Sequence, residues 1–167
     1  MKKFLTALSM LLLLCACSQE GPSGFKGYYS FKTGGSLKFS GTVTDLLGTR
    51  DTTFLRHLVP ESGQMHVLRD EGDKMIVTMN ITGGDPVVFD ATVSGGVLTL
   101  EPVYRSALVR PALGDESIRC DFTVSGEGRK YENMILFDLE YEGSIPILGF
   151  EGEISSSDVH CIATENE

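Results

Sequence analysis

The chain has 167 residues and carries 14 basic against 23 acidic side chains, which gives a formal charge of −9. An acidic body repels phosphate backbones, so this composition argues against a nucleic-acid partner. The length suits a single domain with one hydrophobic core.

The first 16 residues have the composition of an export signal. Lys2-Lys3 gives a positively charged start, and an apolar run extends from Phe4 to Leu14. That run is too short to cross a bilayer comfortably, and the small residue Ala16 stands at a cleavage position. Residues 1–16 are therefore predicted to be a signal peptide, and the loss of its two lysines lowers the formal charge from −9 to −11.

The segment Leu14-Cys15-Ala16-Cys17 resembles the lipobox of bacterial lipoproteins. In that family a peptidase cuts before a cysteine that already carries diacylglycerol, and the resemblance implies this role for Cys17. Cys15 does not fit, because bulky Leu14 precedes it. In such lipoproteins an aspartate directly after the lipidated cysteine retains the protein in the inner membrane. This chain has Ser18 there, so the resemblance implies an outer-membrane lipoprotein, whose domain could face either side of that membrane. The alternative is an ordinary cleaved secretory signal, which needs no cysteine at this position.

Residues 17–26 are predicted to form the lipidated cysteine and a flexible tether, because they include the stretch Gly21-Pro22-Ser23-Gly24. Stable anchoring requires at least two acyl chains, which the resemblance to lipoproteins implies. Residues 27–167 are then expected to fold as one domain that stays at a membrane surface through Cys17.

Period-two alternation of apolar residues dominates that domain, as in Met75, Val77 and Met79. Glycine-rich turn signals, among them Gly34-Gly35, Gly95-Gly96 and Ser125–Gly128, separate the alternating runs at hairpin spacing, so neighbouring runs should pair antiparallel. About nine or ten strands are predicted, with boundaries good to about two to four residues. The predicted strands are 28–32, 36–44, 65–70, 74–81, 87–93, 97–103, 117–124, 132–141, 147–155 and 158–163.

Two segments interrupt the alternation. Residues 48–63 are predicted to include a short helical turn that Asp51 caps and Pro60 ends. Residues 102–116 contain two prolines and a glycine and are predicted to be a long connection. Binding residues concentrate in such irregular segments when a rigid scaffold holds them.

Six of the seven arginines lie in or beside these two segments. If both segments close the same end of a barrel, Arg56, Arg105 and Arg110 could present multidentate donors to a carboxylate or sulfate group. The alternative is a scatter of solvated arginines that balance nearby acids.

Two cysteines remain in the mature domain, and both lie on alternating apolar runs that predict inward faces. Cys120 belongs to the run from Ile118 to Val124, and Cys161 to the run from Val159 to Ala163. An oxidising compartment permits a disulfide between them, and two free buried thiols are the alternative.

Catalytic and metal-binding patterns are absent from the sequence. His57, His66 and His160 are far apart and have no ligand spacing. The glutamates of 140–153 alternate out of phase with apolar residues, which predicts the solvated face of a sheet rather than a glycosidase pair. There is no Gly-x-Ser-x-Gly elbow or phosphate-binding loop. No enzyme activity, metal or cofactor is therefore expected.

The apolar residues of the strands either fill the core or line a ligand cavity, since a barrel of about eight strands is just wide enough for either arrangement. A ligand cavity should measure about 300 Å3 or more. The side chains in question are Phe31, Phe39, Met75, Met79, Phe89, Leu98, Leu100, Phe122, Ile135, Phe137 and Phe150.

With its lipobox and the meander from Gly27 to Ile162, the chain resembles the calycin-like or lipocalin-like β-barrel lipoproteins of Bacteroidetes. Lipocalins have Gly-x-Trp near the first strand, where this chain has Gly27-Tyr28-Tyr29 and no tryptophan at all. No site residues of the family carry over for that reason.

The sequence therefore predicts an all-β antiparallel meander that closes into a barrel of about eight to ten strands, with a β-sandwich as the alternative. The expected function is that of an outer-membrane lipoprotein without enzyme activity that binds a small apolar or amphiphilic ligand. A polar or anionic end of the ligand should lie near Arg56, Arg105 or Arg110. The alternative is an interaction protein with a filled core, such as an adhesin, an envelope-complex subunit or an inhibitor.

Overall fold

The computed structural model describes residues 21–111 and 116–166, and the predicted signal peptide and Cys17 lie outside the described residues. One short helix, α1 (Pro22–Phe25), precedes nine antiparallel strands, and all nine belong to one sheet. The strands are β1 (Gly27–Asp45), β2 (Gly48–Leu58), β3 (Glu61–Arg69), β4 (Lys74–Ile81), β5 (Val87–Ser94), β6 (Val97–Pro111), β7 (Ile118–Tyr131), β8 (Met134–Glu142) and β9 (Phe150–Glu165).

The sheet closes into a ring because β1 is long enough to pair with three other strands. One edge of β1 pairs with β9, and the other pairs with β3 over its first part and with β2 over its second part. Strands β3 to β9 follow one another as hairpin neighbours, so β1 and β3–β9 form a ring of eight strands. Strand β2 lies between β1 and the end of β6. The prediction of an all-β antiparallel barrel is confirmed.

The prediction that β1 consists of two strands with a turn at Gly34-Gly35 was wrong. The chain runs straight through both glycines and pairs with β9 on either side of them. Gly35 has a φ of 149°, and a side chain there would collide with the backbone of Asp158. Glycine therefore permits the close approach of two strands at this point, and the chain does not reverse.

Glycine had the same effect in β7, where Ser125–Gly128 was predicted to be a turn. A β-carbon on Gly128 would lie 2.5 Å from Cε1 of Phe137, so the glycine makes room for that ring. The strand continues to Tyr131, and the chain reverses at Glu132, which has a φ of 53°. Strand β9 was likewise predicted as two pieces and is continuous.

The predicted helical turn in 48–63 is also wrong, since these residues form β2 and the start of β3. Phe54 and Leu58 are four residues apart, a spacing that fits one face of a helix and one face of a strand equally well. Pairing of β2 with β1 selects the strand. The predicted connection 102–116 is strand as far as Pro111, and residues 112–115 lie outside the described residues.

The interior of the barrel is filled by apolar side chains, which form one continuous core. All eleven residues that the sequence assigned either to a core or to a cavity wall are buried in it. Seven of the side chains with less than 2% exposure are aromatic. The ring therefore encloses a packed core in the region that these residues occupy.

Helix α1 fixes the start of the chain against the barrel. Phe25 is fully buried, and its carbonyl accepts a hydrogen bond of 2.9 Å from the Tyr29 hydroxyl. Lys130 Nζ donates to the Gly24 carbonyl at 2.7 Å and to the Glu165 carboxylate at 3.0 Å. Residues 22–25, which were predicted to belong to a flexible tether over residues 17–26, therefore form a helix that packs on the barrel, and residues 17–20 lie outside the described residues.

Candidate functional site

A slot opens in the barrel wall where β5 and β6 separate. The two strands pair only from Ala91 to Ser94 and from Val97 to Leu100. The register of β6 against β7 shifts directly after Leu100, at a β-bulge that contains Pro102. Proline has no N–H to donate, so the ladder to β5 cannot continue through it. Beyond the bulge β6 leaves β5 and rejoins the wall at β2.

The slot holds a pocket of about 580 Å3, within the usual size range of small-ligand sites. None of the eleven core side chains lines it, so the pocket lies in the wall of the barrel and not at the expected place in the interior. Its lining combines apolar residues with both signs of charge. The lining residues are Val59–Ser62, Ile81–Val88, Val103–Leu108 and Arg119.

Arg105 is the principal charged group of the slot. It lies on the inward face of β6 between Val103 and Ala107, and it is only 8% exposed. Its Nη2 donates to Oε1 of Glu61 at 2.5 Å, and the Glu61 side chain is 19% exposed. Its Nε is buried and has no hydrogen-bond partner within the described part of the chain. A buried guanidinium N–H without an acceptor is costly, and it offers a binding point for an anion.

Two further polar side chains near this ion pair are neutral at physiological pH. Burial, with a contribution from Glu61, raises the pKa of the Cys161 thiol from 9.0 to about 12. Burial also raises the pKa of the Tyr141 hydroxyl, although Arg105 opposes the shift. A thiol with a raised pKa is a poor nucleophile, because the reactive form is the thiolate.

Of the three arginines that the sequence offered for an anion site, only Arg105 lines the slot. Arg56 lies on the inward-facing side of β2 between Phe54 and Leu58. The Arg56 guanidinium carbon is 5.1 Å from the Phe54 ring centre, and its Nε is buried without a partner in the described residues. Arg110 lies on the outer face of β6, where it pairs in register with His57.

Sequence reasoning missed Glu61 as the partner of Arg105, which is 44 residues away. A signal was nevertheless present, since Arg105 interrupts an alternation of Val103, Ala107 and Val109. The alternate residues of this strand also include the apolar side chains Tyr104 and Leu108, so the pattern alone did not show which of the two series faces inward.

The two cysteines of the domain are buried free thiols. They lie on β7 and β9, which are separated by β8. Cys161 on β9 pairs with Phe137 on β8, and Phe137 pairs with Gly128 on β7. Cys120 lies eight residues before Gly128 on the same strand, so it is not level with Cys161 across the sheet. Burial raises the pKa of the Cys120 thiol as well.

The three histidines do not converge. His66 stacks on Tyr28 with ring centres 3.9 Å apart. His160 contacts the carboxylates of Asp138 at 2.7 Å and Asp158 at 3.2 Å on the outer surface. Within residues 21–111 and 116–166, no three His, Cys, Asp or Glu side chains are arranged to hold a metal ion.

A second surface feature is an apolar tip at the far end of β1. It consists of Leu46 and Leu47 in the β1–β2 turn and Leu148 in the loop before β9, and all three side chains are essentially fully exposed. The Thr44 amide donates to the Gly149 carbonyl at 2.8 Å, which holds the turn and the loop side by side. Helix α1 precedes the opposite end of the same strand.

Comparisons with known protein families, curated proteins and solved structures found no match. No helix in the described part of the chain is long and apolar enough to span a membrane. The slot, the tip and the N-terminal sequence are therefore the features of the chain that bear on its function.

Proposed function

We propose that this protein is a lipid-anchored envelope lipoprotein that binds a small amphiphilic molecule in the wall slot, with the anionic end of the ligand on Arg105. The observation that carries the proposal is the buried Nε of Arg105, which has no partner among the described residues. A carboxylate at this position would receive a charge-assisted hydrogen bond in a low-dielectric site.

The apolar part of the ligand would lie against the aliphatic lining of the slot. Ile81, Val87, Val103 and Ala107 contribute to that lining. The pocket is open to solvent along the gap between β5 and β6, so a ligand can enter without unfolding of the barrel. This arrangement fits a molecule with one charged end and a short apolar body.

The side chains around the slot fit a binding site better than a catalytic site. The charged residues around the slot are Arg105, Glu61, Asp85 and the exposed Arg119. Glu61 is held in an ion pair with Arg105 through one nitrogen of the guanidinium, and the nearby Cys161 thiol has a raised pKa. Neither an activated nucleophile nor a pair of converging acids is present in the described lining.

The proposed anchor is Cys17 at the outer membrane, as the lipobox resemblance implies. The burial of Phe25 in the barrel supports an anchor at Cys17, because the folded domain then begins only a few residues after the proposed lipid attachment site. Replacement of Cys17 by serine should move the protein from the membrane fraction to the soluble fraction and abolish labelling by an alkyne-tagged fatty acid. A Cys15→Ser variant is the matched control and should remain anchored.

The ligand proposal can be tested on the lipid-free chain from Ser18, which retains every described residue. We expect octanoate to bind at least about tenfold more tightly than octanol in calorimetry, a difference of about 1.4 kcal/mol. The double variant Arg105→Gln/Glu61→Gln should lose this preference, and Arg110→Gln, on the outer face, should keep it. Equal binding of the two probes, or a preference that persists in the double variant, would contradict the proposal.

The apolar tip favours a second candidate, an interaction protein with a filled core. Leu46, Leu47 and Leu148 are exposed together, and such clusters mark interaction sites more often than isolated apolar residues do. A photocrosslinking residue at Leu47 should then capture one defined envelope protein, whereas the same residue at half-exposed Ile162 should not. Identical crosslinking from both positions would remove this candidate.

A further inference from the structure

The two strands that border the slot have unpaired edges. In β5, Val87–Asp90 pair with β4 on one side, and on the other side they have no ladder partner within the described residues. In β6, Val103–Ala107 pair with β7 and likewise lack a partner on the slot side within residues 21–111 and 116–166. Exposed edges of this kind accept a further strand.

The hydrogen bonds at the ends of the slot show which backbone groups face it. The Val59 amide donates to the Leu108 carbonyl at 2.9 Å, so the backbone groups of Leu108 point away from β7. Because these groups alternate along an antiparallel strand, those of Ser106 and Tyr104 point into the slot. The groups of Arg105 and Ala107 then belong to the ladder with β7.

The same reasoning applies to β5. The Val93 amide donates to the Asp73 carbonyl at 2.9 Å, so the backbone groups of Val93 point toward β4. Alternation then directs the groups of Val88 and Asp90 toward β6, across the slot. Each border of the slot therefore presents two residues whose N–H and C=O groups have no ladder partner among the described residues.

The β6 border of the slot is long enough for a short extended segment. From Val103 to Ala107 the β6 edge is about 14 Å long, at roughly 3.4 Å per residue. One end is closed by the bond between Val59 and Leu108, and the other by the pairing of Ala91 with Leu100. A slot closed at both ends fits a short peptide of about four or five residues better than a chain that continues in both directions.

Arg105 determines which peptides would fit best. Its side chain points inward, so an inward-pointing side chain of an added strand would be its cross-strand neighbour. The unpartnered Nε of Arg105 favours an acidic side chain at that position.

We infer that the wall slot binds a short acidic peptide in extended form, as an added strand between β5 and β6 whose central carboxylate meets Arg105. This inference rests on the proposed function of the slot and names its ligand class. The amide bonds of the peptide would pair with Tyr104 and Ser106 on one side and with Val88 and Asp90 on the other.

The first experiment measures peptide binding by native mass spectrometry on the lipid-free chain from Ser18. The probes are two pools of acetylated, amidated pentapeptides with Ala, Ser, Thr, Val and Leu at the flanking positions, one with central glutamate and the other with central glutamine. We expect the glutamate pool to bind about tenfold better, and N-methylation of alternate amides in its best member to abolish binding. Equal binding of the pools, or undiminished binding after N-methylation at either set of amides, would overturn the inference.

The second experiment measures amide hydrogen exchange by NMR with the best glutamate peptide. The amides of Tyr104 and Ser106 should exchange fast in the free protein and at least about tenfold more slowly in the complex. The amides of Arg105 and Ala107, which belong to the β7 ladder, should be protected in both states and serve as internal controls. Protection of Tyr104 and Ser106 in the free protein would also refute the inference.

The outcomes separate this inference from the proposed function. Binding of octanoate with no binding of peptides would overturn the strand addition and leave an amphiphile site in place. Failure of both probes would overturn both proposals.

Discussion

Replacement of Arg105 by methionine should destabilise the barrel, because it leaves the carboxylate of Glu61 without its partner. The Arg105 side chain is 7% exposed and the Glu61 side chain 19%, so most of the pair is desolvated. Breaking a buried ion pair by removal of one partner costs about 3–5 kcal/mol. We expect about 3 kcal/mol, at the lower end of that range, because water still reaches Glu61.

A double-mutant cycle tests the reason for this loss. Replacement of both residues, as Arg105→Met/Glu61→Leu, removes the unpaired charge and should recover stability to within about 1 kcal/mol of the wild type. The measurement is urea unfolding at pH 7 with unchanged m-values, and thermal unfolding should show the single variant about 6–12 °C below the wild type. A loss below about 1 kcal/mol in Arg105→Met, or a double variant no more stable than that single variant, would refute the reasoning.

Three further predictions concern the core, the thiol and the anchor. Phe137→Ala should lower the free energy of unfolding by about 3–5 kcal/mol in urea titrations, because Phe137 is fully buried in the core; a loss below about 1 kcal/mol would mean that the interior is loosely packed. Cys161 has a folded pKa raised to about 12 from 9.0, so the contribution of its protonated thiol to stability is complete below about pH 9 and is lost as the pH rises toward 12. Cys161→Ala should therefore lose less stability than the wild type between these pH values in urea titrations, and parallel curves for the two proteins would contradict this. The Cys17→Ser variant should leave the membrane fraction with unchanged thermal stability of its domain, and a lower melting temperature would show that Cys17 also contributes to the fold.

The sequence predicted the strands and their inward-facing residues correctly where apolar and polar residues alternate without ambiguity. Met75, Val77 and Met79 face the core as predicted, and so do Phe122 and Val124. A residue in a strand points to the opposite side from its neighbours, so the sorting of apolar from polar residues is a local property that one chain segment records by itself.

The role of each glycine depended on the tertiary structure. Gly95 and Gly96 have positive φ and lie in the turn between β5 and β6, as predicted, whereas Gly128 lies within a strand. Glycine lacks a β-carbon, and this one property permits both a reversal and the close approach of a neighbouring ring or backbone. The sequence does not state which of the two is used, because the neighbour of Gly128 is Phe137 on another strand.

The candidate site was the part least accessible from the sequence. Arginine-bearing segments were identified, but only the closed sheet directs Arg105 inward, brings Glu61 to it and leaves Arg110 on the outer face. The slot itself exists because a bulge at Pro102 separates two strands that a simple meander would pair along their full length. The sequence by itself was enough to locate most strands and to predict an export signal, since both are recognised from residues that are neighbours along the chain. The tertiary structure alone decided which charges meet and which edges stay open, since these depend on the register between distant strands.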